Sequence, residues 1–443
     1  MDAVLLSRIQ FGLTAGFHFI FPPLTIGLTL IILIFETGYL LKDSELYKNI
    51  STFLIRVLGL IFVIGVATGI VLEFSFGTNW SEYSRMVGDI FGSPLAAEGI
   101  FAFFLESVFL GILLFGRNRV SRRVYWLSAF LVFFASHLSG LWIIIANSWM
   151  QTPAGFEITG GRAVLTDFIE AAINHSTVER YTHTITASWL TGSIAASAIG
   201  AWYLLKNRNH EFSRALLKVS LTVFAVISLM QFVTGHAHSV QVAKTQPEKM
   251  AAFEALWESR SGAPLAVFGI PDEKNRTTHL EVGIPGLLSY LVYFDSEATI
   301  KGLNEFPVQD QPPVLIPYIT YHVMIGLGSL FLLIGIVSVL LMLTGRLYGN
   351  KPFLTGIILA SPLPVIANET GWMAAEIGRQ PWAVFHVLRT ADAASVVVPA
   401  WQVMLTLVIF TIIYMVLLAV FLKLLFRIIR EGPENINKEH AGY

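Results

Sequence analysis

The chain has 443 residues, of which 54% are hydrophobic and only 13% charged, with a formal net charge of -1 and a mean hydropathy of +0.65. Soluble domains carry about 25% charged residues, so a soluble globular class is excluded and a polytopic α-helical membrane protein is implied. Cysteine is absent, which removes covalent c-type haem, iron–sulfur clusters and thiolate copper and leaves His, Met, carboxylate or Tyr to hold any redox cofactor.

In chain order, Met1 to Gln10 carries one acid and one base. It lacks the basic start of a signal peptide and leads into an apolar run too long for one, so the first segment is expected to stay as a helix. A bilayer core of ~30 Å needs about 20 apolar residues per helix. Nine segments meet that length, roughly 12–41, 52–76, 94–116, 124–147, 181–205, 215–235, 317–344, 353–372 and 398–426, and Glu36, Glu73, Glu98 and Glu106 interrupt them. Lys and Arg gather in alternate loops: Lys42 and Lys48, then Arg117, Arg119, Arg122 and Arg123, then Lys206, Arg208, Arg214 and Lys218, then Arg346 and Lys351. The tail with Lys423, Arg427, Arg430 and Lys438 falls on the same side. The positive-inside rule makes that side cytoplasmic, which predicts nine transmembrane helices with the N-terminus outside and the C-terminus in the cytoplasm. Between helices 6 and 7, residues 236–316 form a long outer loop. A connection of that length is usually functional or disordered, and its helical text (Pro247 to Ser259) and Gly/Pro turns suggest partial order. The expected organisation is 1–235, 236–316 and 317–443.

Ionisable groups inside a membrane are costly and call for an explanation. His18, early in helix 1, is either a core histidine bonded to a backbone carbonyl or an axial haem ligand. His183 opens helix 5 and Met324 lies in the first turns of helix 7, beside the small-residue run Gly326 to Ser329 that admits a bulky group. A His/Met pair suits a six-coordinate electron-transfer haem, although sequence does not show that the two meet. Glu98 and Glu106 on helix 3 project about 80° apart and about 12 Å apart in depth on an ideal helix, as a proton relay or as structural helix–helix contacts, with Ser107 adjacent. At the end of helix 8, Glu376 follows Trp372 by one turn. Arg379 offers a fork of donors for a carboxylate or a haem propionate, and an interfacial ion pair explains the segment equally well. By the derived topology His18, Glu98, His183, Met324 and Glu376 all lie in the outer half of the membrane, the arrangement expected of a multi-cofactor site.

Leu6-Ser-Arg-Ile-Gln10, His18 followed by Phe21-Pro-Pro-Leu-Thr25, Pro94 to Ser107, Asn147-Ser-Trp-Met-Gln151 and Gly378-Arg-Gln-Pro-Trp382 resemble, in order and over essentially the whole chain, subunit I of the cytochrome bd quinol oxidase family. The resemblance implies that His183 and Met324 ligate a low-spin haem b, and that His18 ligates a high-spin haem of the oxygen-reducing centre. It implies that Glu376 ligates the other high-spin haem, with Trp372 beside it and Arg379 nearby. Glu98 looks like the acidic residue at the haem pair, and Glu106, with Ser107, like the carboxylate on the cytoplasmic proton path. Lys249 and Glu254 match quinol-site residues of the loop. The implied cofactors are a low-spin haem b, a high-spin haem b, and haem d or a further haem b. The first portion would then hold the high-spin haem and proton-path residues, the second the quinol site, and the third Met324 and Gly378 to Trp382.

Two departures stand out. The loop resembles the short form of the family, and His322 stands where some members carry Arg, so a low-spin haem potential more dependent on pH is expected. Implied partners are quinol (ubiquinol or menaquinol), O2, a subunit II, a small single-helix accessory subunit and membrane lipid, with no nucleic acid. The implied location is a bacterial or archaeal inner membrane. A quinone-reactive b-type cytochrome would want bis-imidazole pairs, and an ion-coupled transporter an internal repeat with broken helices.

Overall fold

The computed structural model describes residues 2–433, so Lys438 lies outside the described residues. Asp2 caps α1 (Ala3–Phe19) by accepting from the Val4 N–H at 3.3 Å. The chain stays helical through Ile20 into α2 (Phe21–Lys42), whose opening turn holds the prolines, where their missing N–H groups cost little. α3 (Glu45–Thr78) follows. Then α4 (Ser81–Ala97), a π-helical stretch over Glu98–Phe103, and α5 (Phe104–Phe115) form one rod. α6 (Arg122–Gln151) leads to a hairpin of β1 (Phe156–Thr159) and β2 (Arg162–Leu165), then short α7 (Phe168–Ala172). α8 (Thr177–Leu205) and α9 (His210–Thr245) complete the first half.

The connection that follows is ordered. It contains α10 (Pro247–Phe253), β3 (Arg260–Ser261), the antiparallel pair β4 (Leu265–Asp272) and β5 (Thr277–Ile284), α11 (Leu287–Tyr293) and β6 (Thr299–Ile300), which pairs with β3. α12 (Leu315–Leu343), α13 (Lys351–Ala360) and α14 (Leu363–Ile377) come next, then the hairpin β7 (Trp382–Val384) and β8 (Leu388–Arg389), short α15 (Thr390–Ala393) and α16 (Ala400–Glu431).

Among the described residues, eight rods are long and apolar enough to cross a membrane: Ala3–Lys42, Glu45–Thr78, Ser81–Phe115, Arg122–Gln151, His210–Thr245, Leu315–Leu343, Lys351–Ile377 and Ala400–Glu431. α8, 29 residues long, is outside that set because Thr, Ser, Ala and Gly fill it. Those small residues let it sit at the centre. A Cβ on Gly27 of α2 would lie 2.2 Å from the Ser188 carbonyl oxygen, and one on Gly192 would lie 2.2 Å from the Gly27 carbonyl carbon. Backbone meets backbone here, the close approach that small residues permit between membrane helices. Around this contact the apolar core joins α2, α3, α5, α6, α8, α9 and α16.

Several expected boundaries move. The helix expected over 215–235 runs to Thr245, because Val242 and Ala243 pack against Met250 and Tyr321. The connection therefore starts at 246 rather than 236. Pro247 ends the rod, since the residue before proline disfavours the α conformation. Likewise, the helix expected over 353–372 breaks at Ser361–Pro362 and resumes to Ile377, and that expected over 398–426 reaches Glu431.

Candidate functional site

α14 delivers Glu376 to a buried polar network at the end of the bundle that carries the 246–314 connection. Its Oε2 pairs with Arg379 Nη2 at 2.6 Å, and its Oε1 lies 3.7 Å from Arg180 Nη2 of α8. Asn147 and Gln151, one helical turn apart on α6, each donate to the same Oε1 at 3.1 Å. Arg180 also donates to Asn147 Oδ1 and holds its guanidinium over Trp372, 5.6 Å from the ring centroid. Gln151 then accepts from Lys249 Nζ, and Lys249 donates to Gln246 Oε1 at 2.6 Å. Glu376 and Arg379, read from sequence as haem-side, and Lys249, read as quinol-side, thus share one hydrogen-bonded chain, and Trp372 adjoins it through the Arg180 guanidinium.

Lys249 is 1% exposed. Burial, with Arg180 nearby, holds its amine well below the ordinary lysine range, although Glu376 pulls the other way. Glu254 sits just past α10 with Oε2 accepting from the Ala266 N–H at 3.0 Å and Oε1 buried without a partner. Burial pushes its carboxyl up to about 8.

His18 has a defined hydrogen-bond direction. Its Nδ1 lies 3.0 Å from Thr68 Oγ1, and that hydroxyl donates to the Ile64 and Gly65 carbonyls. Thr68 is therefore the acceptor, Nδ1 carries the proton, and Nε2 keeps its lone pair for a ligand. A Cβ on Gly69 would come 3.1 Å from His18 Cε1, so glycine keeps this side of the ring open.

His183 is bordered by Gln231, whose Nε2 is 3.1 Å from Nδ1, and by Gly235, where a Cβ would stand 3.2 Å from Cε1. Met324 Sδ faces Gly371, again where a Cβ would intrude at 2.7 Å. α8, α9, α12 and α14 pack on one another, which brings His183 and Met324 into one four-helix group. His238 joins it, with its ring centroid 5.5 Å from that of His183. His322 spans two backbones: Nδ1 is 2.8 Å from the Tyr318 carbonyl and Nε2 2.9 Å from that of Ala266.

Glu98 opens the π-helical stretch and accepts from Ser139 Oγ at 2.8 Å. The π-turn changes the helical phase, so the ideal projection relating Glu98 to Glu106 does not apply. Glu106 is buried, and its Oε1 has no partner. Ser107 does not join it, because its hydroxyl donates to the Phe103 carbonyl of its own helix at 2.7 Å.

Sequence reasoning did not single out Arg180, Gln246, His238 or Glu369. Glu369 is two turns before Glu376 on α14, with Oε1 buried and unpartnered and Oε2 against Gly16 of α1. Asn147 and Gln151 were visible as a motif without a role.

The fold and this network define a class: a polytopic helical membrane protein with ionisable, imidazole and thioether groups gathered at one end of the bundle. The model of the family described as cytochrome bd terminal oxidase subunit I matches residues 6–433. The chain belongs to that family and is an oxidoreductase subunit of the terminal quinol oxidase type. It is 36% identical over 448 residues to cytochrome bd ubiquinol oxidase subunit 1 of Bacillus subtilis (strain 168), covering 99% of this chain and 96% of the relative. It is 32% identical over 509 residues to cytochrome bd-II ubiquinol oxidase subunit 1 of Escherichia coli (strain K12), covering 99% and 98%. In the solved structures it is similar to bd oxidase from Geobacillus thermodenitrificans, with a TM-score of 0.91, 30% identity, and 97% and 99% of the two chains covered.

Proposed function

We propose that this chain is the haem-bearing subunit of the oxidase. In this reading it crosses a bacterial or archaeal plasma membrane nine times, with α8 as the ninth span, its N-terminus outside and its C-terminus in the cytoplasm. Quinol, ubiquinol or menaquinol, binds at the outer connection beside Lys249 and Glu254, which position it and take its protons while its electrons pass to the oxidase. O2 is reduced to water with protons drawn from the cytoplasm, so charge separates without pumping. The alignment spans 509 residues with the Escherichia coli relative and 448 with the Bacillus subtilis one, which supports the short form of the loop.

The residues present fit haem. The observation that carries this is the set of buried guanidinium donors without partners: Arg180 Nε, and Arg379 Nε and Nη1. Buried unpaired donors are costly, and a carboxylate-bearing planar group with two propionates would satisfy them. His183 and Met324 would hold the low-spin haem b, and His18, through its free Nε2, one high-spin haem. Glu376, beside Trp372, would hold the other, either haem d or haem b. When bound, these groups supply one-electron transfer and oxygen binding. The chain's own side chains do the rest. Arg379 and Arg180 neutralise carboxylates, Thr68 fixes the His18 tautomer, and Glu98, held by Ser139, receives protons from the side of Glu106 and Ser107. A subunit II, with a small single-helix accessory subunit, would cover the exposed apolar faces together with lipid. With the boundaries of the structure, 2–245 carries the first six spans, 246–314 the quinol loop and 315–433 the last three.

A pyridine haemochrome and a reduced-minus-oxidised spectrum of the purified complex test the reading. Low-spin b together with a carbon monoxide-sensitive high-spin signal is the expected result. Purified protein without haem overturns it.

A further inference from the structure

α10 begins with two acid–base residues that face different ways. Lys249 turns inward to Gln151 and Gln246. Glu248 is also buried, yet its Oε1 stands 3.5 Å from Nε2 of His386. His386 comes from the tip of the β7–β8 hairpin, and its side chain is 60% exposed. It is held in place by stacking on Phe385, with centroids 4.1 Å apart, and by an edge contact with Trp382 at 5.3 Å. Burial raises the Glu248 carboxyl above its usual range, and His386 and Lys249 oppose that rise. The other charged groups on these elements are already paired: Arg389 with Asp310 at 2.5 Å and Arg379 with Glu376 at 2.6 Å.

As a structural contact the pair would count for little, since water screens an ion pair whose imidazole lies at the surface. As a route it is well formed: one member touches the enclosed end of α10 and the other touches water. Imidazole is the side chain suited to taking a proton at one nitrogen and losing one at the other near neutral pH.

We propose that Glu248 and His386 form the exit by which quinol protons leave the site. This rests on the reading that Lys249 and Glu254 mark the quinol site. Oxidation of quinol to quinone breaks two O–H bonds and yields two protons and two electrons. The electrons pass through the oxidase to O2, and the protons are left at the enclosed end of α10. Glu248 takes each proton on its carboxylate and turns it to His386 Nε2, closing the gap by rotation or through one water. His386 then releases a proton from Nδ1 to the medium. Both residues are relay residues and neither needs to touch quinol.

The complete oxidase, reconstituted in vesicles with a pH-sensitive dye on the loop side and a soluble quinol, gives the test. His386→Ala and Glu248→Gln should each slow proton release and turnover by roughly a hundredfold, the low end for a positioned proton-transfer group. Their dithionite-reduced spectra should match that of the parent protein. Imidazole added to the medium should restore His386→Ala, which a merely structural loss would not allow. Unchanged release in both variants, or a His386→Ala loss that imidazole does not repair, overturns the exit. Lys249→Ala and Glu254→Gln report separately on the site. If both leave the quinol KM unchanged, the reading of the site fails, whatever His386 does.

Discussion

Gln151 joins Lys249 to Glu376: its Oε1 accepts from the lysine Nζ, and its Nε2 donates to the carboxylate at 3.1 Å. The amide belongs to α6, while its partners come from α10 and α14, so one side chain ties the connection to the bundle. Hydrogen bonds to charged groups contribute about 1.5–3 kcal/mol, and orphaning a buried partner costs more. Gln151→Leu is therefore expected to lower quinol turnover by roughly ten- to a hundredfold at saturating O2. Steady-state oxygen uptake measures this, and a variant with parental kcat and KM would show the link to be idle.

Glu254 gives a pH dependence with a definite sign. Burial pushes its carboxyl up to about 8 from the ordinary carboxylate value of 4.5, so between those values the folded protein holds a proton there that the unfolded chain has lost. Between those values the folded state binds more protons, and the stability contributed by this group falls as pH rises, levelling off above about 8. In the proposed quinol-site role, the Glu254 carboxylate that would accept a quinol proton forms over the same range. Quinol kcat/KM should thus climb with pH towards about 8, and Glu254→Gln should abolish that limb and leave a low, flat profile. An unchanged profile in the variant would assign the limb to another group.

Met324 Sδ lies against Gly371, where any Cβ would intrude at 2.7 Å. In the proposed role of low-spin haem ligand, Met324 would supply a thioether that Leu cannot replace. Met324→Leu is expected to abolish the low-spin b signal while conserving side-chain volume, so the helix packing should survive. Retention of that signal in the difference spectrum would refute the assignment.

Hydropathy made the long apolar rods legible, because each must bury or shield its own backbone in lipid. What it could not carry was phase and partnership. The π-turn at Glu98 is invisible to a 100° projection, so the ideal-helix relation of Glu98 to Glu106 does not carry over to this rod. His236 to Lys244 reads as polar loop text, yet it is helical because α10 and α12 cover its apolar side. Ser107 looked like a partner of Glu106 from adjacency alone, whereas a hydroxyl on a helix readily bonds to its own preceding turn. Arg180 and His238 were missed because their meaning lies in contacts from α6, α14 and α8 that sequence spacing does not record.

The Gly27–Gly192 contact predicts an assembly defect. A Cβ at Gly192 would meet three α2 backbone atoms between 2.2 and 2.4 Å, and backbone cannot rotate away as a side chain can. Overpacking typically costs about 1–3 kcal/mol. Gly192→Val should therefore lower the yield and Tm of the detergent-solubilised complex, whereas Gly12→Ala, with nothing within 4 Å of the new Cβ, should be nearly neutral. Equal Tm values for the two variants would argue against tight α2–α8 packing.

At the opposite end from the connection, Glu36 of α2 and Arg117, just after α5, form a buried pair that holds three rods together. Arg117 donates to both Glu36 oxygens, to Ser51 Oγ at 2.8 Å and to Thr52 Oγ1 at 3.0 Å, and its guanidinium lies 3.8 Å from the Tyr125 ring centroid. The two side chains are 7% and 2% exposed. Removing one member of a buried pair leaves an uncompensated charge and costs about 3–5 kcal/mol. Arg117→Ala should therefore destabilise the complex by about that amount. The double variant Glu36→Leu with Arg117→Met removes both charges while keeping apolar volume, so it should recover most of the loss. A thermal-unfolding series on the two forms decides it: a double variant as unstable as Arg117→Ala would mean that packing around Tyr125, rather than the orphaned Glu36 charge, sets the cost.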